Sequence, residues 1–86
     1  ARIAAEGMIG LKASDDGKTV VMVEINSETD FVVKSEDFQG FVQDVTDALL
    51  KNTIENNEQL LEMEVAGGES VEMTRRALIA KVGENI

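Results

Sequence analysis

Four carboxylates, Glu28, Asp30, Glu36 and Asp37, crowd into one short stretch of the chain. Paired carboxylates can work as acid and base, and as hard oxygen donors they can hold magnesium. The rest of the sequence offers this cluster little help. His and Cys are both absent, which removes imidazole bases, thiol nucleophiles, disulfides and the usual zinc or copper ligands. Gly67-Gly68 is not followed by the Gly-Lys-Ser/Thr of a phosphate loop, and Gly7-Met8-Ile9-Gly10 lacks both the preceding strand and the following helix of a dinucleotide fingerprint. Asp15-Asp16-Gly17 lacks the spaced oxygen ligands of a calcium loop. A solvated acidic face accounts for the carboxylates more simply than a carboxylate-based hydrolase does. No catalytic residue, metal site or cofactor is expected.

Phe31 stands inside this acidic stretch and is one of three aromatics in the chain. Two readings are open. If one continuous helix runs from Thr29 to Lys51, Phe31 lies two turns before Phe38 and extends the same buried face. Alternatively, Ser35-Glu36-Asp37 is a fresh helix start, and Ser27 followed by Asp30 is a capping-box variant of its own. Two starts so close together predict a short turn, a break and then the main helix, which lets Asp30 and Phe31 protrude.

The flanking elements must hold this stretch in place, because functional side chains tend to sit on loops positioned by a rigid scaffold. Met8 to Ala13 alternates loosely, with Ile9 and Leu11 on one face and Met8, Gly10 and Lys12 on the other. Ser14-Asp15-Asp16-Gly17 is a turn cluster. Lys18 to Ile25 is rich in β-branched residues and puts Val21, Val23 and Ile25 on one face, so the two runs predict an antiparallel hairpin. Helical spacing begins at Phe38 and continues through Phe41, Val42, Val45 and Leu49. Ser35 suits the N-cap, with Glu36 and Asp37 favourable to the dipole in the first turn. Gly40 weakens this helix by about 1 kcal/mol relative to Ala and is read as the point of close approach to the hairpin. Glu58 to Val65 forms a short amphipathic piece, Gly67-Gly68 a loop, and Val71 to Val82 a last helix capped by Ser70 and terminated by Gly83.

The expected fold is α+β. An antiparallel β-hairpin is covered on one face by two to three helices, in two layers, with a further strand expected after Ile86. Residues 1–86 form one subdomain. Residues 1–7 are read as the end of a preceding helix closed by Gly7, which places the chain within a longer protein. At 86 residues such a domain buries about 60–65% of the surface of its unfolded chain. The net charge of −9 repels phosphate backbones and anionic lipid, so neither nucleic acid nor membrane is expected as a partner. No apolar run approaches the roughly 20 residues that span a bilayer.

Glu24-Ile25-Asn26-Ser27-Glu28-Thr29-Asp30-Phe31-Val32 resembles the signature of the translation elongation factor Ts family, in which Thr-Asp-Phe-Val is the diagnostic core. Ala4-Ala5-Glu6-Gly7, Glu36-Asp37-Phe38-Gln39 and Ala80-Lys81-Val82-Gly83-Glu84-Asn85-Ile86 follow the order of the family. The resemblance spans the chain and corresponds to the amino-terminal half of the family's core. Val33 departs from the Ala common at that position, adding bulk beside the motif.

The resemblance implies guanine nucleotide exchange on elongation factor Tu during translation elongation, a role that is not that of a conventional enzyme. Thr29, Asp30, Phe31 and Val32 are the implied partner-binding tip, with Asp30 and Phe31 inserted near the magnesium and phosphates of the partner's GTPase domain. It also implies a bacterial cytoplasmic location, with a mitochondrial or plastid one as the alternative. Homodimerisation would run through regions outside this stretch. The competing reading is an acidic protein-binding or dimerisation module without exchange activity, in which Phe31 is core.

Overall fold

The computed structural model describes residues 6–52 and 54–86. Two strands, β1 (Glu6–Ala13) and β2 (Val20–Ser27), pair antiparallel in a two-stranded sheet, with Met8 opposite Ile25 and Gly10 opposite Val23. Among the described residues four helices follow: α1 (Asp30–Val33), α2 (Glu36–Lys51), α3 (Asn57–Glu62) and α4 (Val71–Val82). The α+β hairpin covered by helices is the architecture expected. Glu6 and Gly7 belong to β1, so Gly7 is a strand residue and not a helix terminator. The helical reading of residues 1–5 lies outside the described residues.

The loop between the strands is stitched by its own polar groups. The Ser14 amide donates to the Thr19 carbonyl (2.8 Å) and the Gly17 amide to the Ser14 carbonyl (2.9 Å), with Gly17 in the left-handed region at φ 72°. The Asp16 carboxylate accepts from the Ser14 hydroxyl (2.5 Å) and the Lys18 amide (2.9 Å). These two bonds, the Ser14 hydroxyl foremost, hold its carboxyl below the usual aspartate range. Asp16 is thus a turn residue by its bonding.

A two-stranded sheet is marginal by itself, so its inner face must be covered. α2 lies against both strands, α4 packs on α2 and α3 on α4. The core runs from Val32 through Phe38, Phe41, Val42, Val45 and Ala48 of the helical face to Met63, Val65, Val71 and Leu78. Gly10 is what lets β1 settle on α2. A Cβ there would lie 2.0 Å from Thr46 Oγ1 and 3.1 Å from Val42 Cγ1. Gly40, expected in that role, has nothing within 4 Å of its hypothetical Cβ. The close approach therefore belongs to the strand, because Gly40 does not face it.

The opposite face of the hairpin is apolar and open: Ile9, Leu11, Val20 and Met22 are all well exposed. Of β1, it is Met8 and Gly10 that turn inward. Lys12 is exposed but reaches back to pair with Asp47 of α2.

Between the last two helices the amphipathic piece from Glu58 to Val65 divides into a helical and an extended part. Helix ends at Glu62, and Met63 takes an extended conformation (ψ 145°). The Val71 amide donates to the Met63 carbonyl (2.7 Å) and the Val65 amide to the Glu69 carbonyl (2.9 Å), so residues 63–65 pair across the Gly67-Gly68 loop and do not continue α3. This pairing buries Met63 and Val65. In α4, Glu72 accepts from Arg75 (2.7 Å) and Arg76 (2.9 Å), and the Arg75 contact above all lowers its pKa against the opposing effect of burial.

Candidate functional site

The junction of β2 with α2 is built by two restarts of the backbone. Ser27 ends β2 fully buried, and its hydroxyl donates to the Thr29 carbonyl (3.0 Å). The expected capping box from Ser27 to Asp30 does not form, because this hydroxyl is engaged as a donor to the Thr29 carbonyl. Thr29 is the N-cap of α1 by position, with extended φ −129° and ψ 157°, yet its side chain makes no capping bond. α1 is a single turn. Lys34 closes it with its amide donating to the Asp30 carbonyl (3.0 Å), and Ser35 follows in extended conformation (φ −72°, ψ 149°).

Ser35 serves both turns. Its hydroxyl donates to the Val32 carbonyl (2.6 Å), ending α1, and accepts from the Phe38 amide (3.2 Å), starting α2. The break predicted at Ser35-Glu36-Asp37 therefore exists, and the continuous helix from Thr29 to Lys51 does not. Within the short turn Val32 points inward and is buried, while Phe31 is 83% exposed. Asp30 is exposed beside it and makes a loose ion pair with Lys34 (3.6 Å). Of the four residues expected at the tip, Asp30 and Phe31 stand outward, Thr29 is partly buried at the base, and Val32 pins the turn to the core.

The reading of Phe31 as a core residue is overturned by this exposure. Phe31 is the most exposed of the large apolar side chains that stand outside the core. Val33 is half-buried against the core, so its extra bulk relative to Ala is directed away from the tip.

The base of the tip is closed by residues distant in sequence. α4 ends at Gly83, which takes the left-handed conformation (φ 75°) and donates to the Ile79 carbonyl (2.8 Å). This reversal brings Glu84 to Thr29. Glu84 Oε1 accepts from the Thr29 amide (3.0 Å) and Oε2 from the Thr29 hydroxyl (2.7 Å). In return, Glu28 accepts from the Asn85 amide (2.5 Å). Lys81 adds an ion pair to Asp37 (3.1 Å) in the first turn of α2. Sequence reasoning did not place Glu84 at the site, and no local signal could have, since 55 residues separate it from Thr29.

The four carboxylates of the acidic stretch do not converge. Asp37 pairs with Lys81, Asp30 with Lys34, and Glu28 binds a backbone amide. No group of three or more potential metal ligands exists among the described residues. None of the helices among them is long and apolar enough to cross a membrane.

The family model described as "Elongation factor TS" matches residues 28–86. The chain is 49% identical over 85 residues to elongation factor Ts of Legionella pneumophila (strain Paris), covering 99% of this chain and 29% of that protein. It is likewise 49% identical over its whole length to elongation factor Ts of Nitrosomonas eutropha, again 29% of the relative, and 49% identical over 99% of its length to that of Arthrospira platensis, 34% of the relative. The chain thus spans about a third or less of the relatives it matches. On the extent of the family match and the identity along its full length, this chain belongs to the elongation factor Ts family.

Proposed function

We propose that this chain carries the nucleotide-exchange tip of an elongation factor Ts, acting on elongation factor Tu during translation elongation. The observation that carries the proposal is Phe31, 83% exposed on a single turn whose neighbour Val32 is locked in the core. Phe31 and Asp30 enter the partner's GTPase domain near its magnesium and phosphates, with Thr29 and Val32 supporting them. Displacing the groups that hold the metal weakens GDP. The relation is reciprocal, since whatever the factor does to GDP affinity GDP does to the factor's. No step of this kind requires a nucleophile or a metal ligand from the chain, in keeping with an exchange factor that is not a conventional enzyme. The setting that fits such relatives is the bacterial cytoplasm.

The test is release of a fluorescent GDP analogue from elongation factor Tu, with the chain and its Phe31→Ala variant, both checked by circular dichroism. Burying one Phe is worth about 1.5–3 kcal/mol, so the variant is expected to bind or exchange about ten- to a hundredfold less well. A folded wild-type chain that neither binds nor speeds release would sink the proposal. Asp30→Lys with undiminished exchange would remove Asp30 from the mechanism.

A further inference from the structure

We infer that Glu84 is a positioning residue for the tip. The inference rests on the exchange reading above and deepens it by naming the residue that sets the tip's orientation. α1 is one turn long, too short to be rigid by its own hydrogen bonds. Its N-cap, Thr29, makes no side-chain capping bond. The Glu84 carboxylate holds Thr29 itself, taking its amide with one oxygen (3.0 Å) and its hydroxyl with the other (2.7 Å). Both bonds are to a charged acceptor, which is the stronger kind.

The clamp is reciprocal in the chain. Glu84 reaches from beyond the end of α4 to the backbone amide of Thr29, and Glu28 reaches from the tip to the backbone amide of Asn85 (2.5 Å). Asp30 and Phe31 follow directly on the clamped residue. Val32 in the core and Thr29 in the clamp bracket them, so the exposed ring has a fixed base at each side. Without the Glu84 carboxylate, Thr29 keeps only the Ser27 hydroxyl on its carbonyl (3.0 Å) and the neighbouring Glu28 bond to Asn85, both of which leave its own amide and hydroxyl unheld, and the ring sweeps a wider range of directions before meeting its partner.

The experiment is a double-mutant cycle between Glu84→Ala and Phe31→Ala, read by GDP-analogue release from elongation factor Tu and by affinity for it. Misplacement of a working group by about 1 Å can cost a hundredfold, so Glu84→Ala alone is expected to slow release about ten- to a hundredfold. In the Phe31→Ala background the same change is expected to cost less than about threefold, because an absent ring cannot be misplaced. Glu84→Gln keeps an acceptor for the Thr29 amide and is expected to recover much of the loss. It also serves if the Ala variant fails to fold. A separate readout needs no partner: the Thr29 amide should be slow to exchange with solvent in the wild type and fast in Glu84→Ala, with other core amides unchanged.

An active wild type with an indifferent Glu84→Ala overturns the positioning role alone. So does an equal penalty in both backgrounds, which places the effect elsewhere. A wild type that neither binds nor exchanges overturns the exchange reading itself and the role built on it. Loss of protection at Thr29 together with a non-additive cycle supports the inference.

Discussion

Phe31 and Phe38 are the same residue type two helical turns apart in sequence, and they have opposite surroundings. Phe38 is fully buried, whereas Phe31 is 83% exposed. Had one helix carried both, a spacing of seven residues would have put them on the same face. Ser35 undoes that. Its extended backbone breaks the helix after α1, and its hydroxyl closes one turn while opening the next. Apolar periodicity is thus informative about direction only within an uninterrupted helix, because each cap resets the phase.

The comparison can be tested from its buried side. Phe38→Ala is expected to cost about 3–5 kcal/mol, a large share of the roughly 4–13 kcal/mol that a domain of this size commands. Urea denaturation should show a sharply lowered midpoint or no folded baseline. Ser35→Ala removes both hydroxyl bonds and is expected to cost about 1 kcal/mol, with a range of about 0.5–2. A loss near zero would mean that the break is held by something other than this side chain. Phe31→Ala is expected to move stability by no more than about 0.5 kcal/mol, even though it is the variant that should weaken exchange. If its denaturation midpoint fell as far as that of Phe38→Ala, the contrast between the two rings would collapse.

Much of this arrangement was legible because the signals are local. Ser35 and Ser70 cap α2 and α4 as expected, each accepting an amide bond three residues on, and Gly83 takes the left-handed stop. The helical spacing from Phe38 to Val45 identified the buried face of α2. What could not be read depends on contacts across the fold. Where the amphipathic piece from Glu58 to Val65 stops being helical is set by the backbone pairing of residues 63–65 with residues 69–71. Gly40 looked like the point of close packing, and only the placement of β1 shows that Gly10 is. Ser27 looked like a cap, but it is the last residue of β2 and its hydroxyl donates to the Thr29 carbonyl. Glu84 is an ordinary acidic residue after a glycine until the fold brings it to Thr29.

The open side of the hairpin bears on how the chain behaves among its own copies. Ile9, Leu11, Val20 and Met22 form a cross-strand strip that water touches directly, the kind of flat apolar surface that adheres to itself. At neutral pH the chain answers this with charge. Seventeen acidic residues against eight basic ones leave nine negative charges in excess, and that long-range repulsion keeps molecules in colloidal suspension. Neutralising nine carboxylates by acid abolishes the repulsion and leaves the strip untouched. Light scattering on acidification should therefore rise before the helical signal falls, and replacing Leu11 and Met22 with Lys and Glu should suppress the rise.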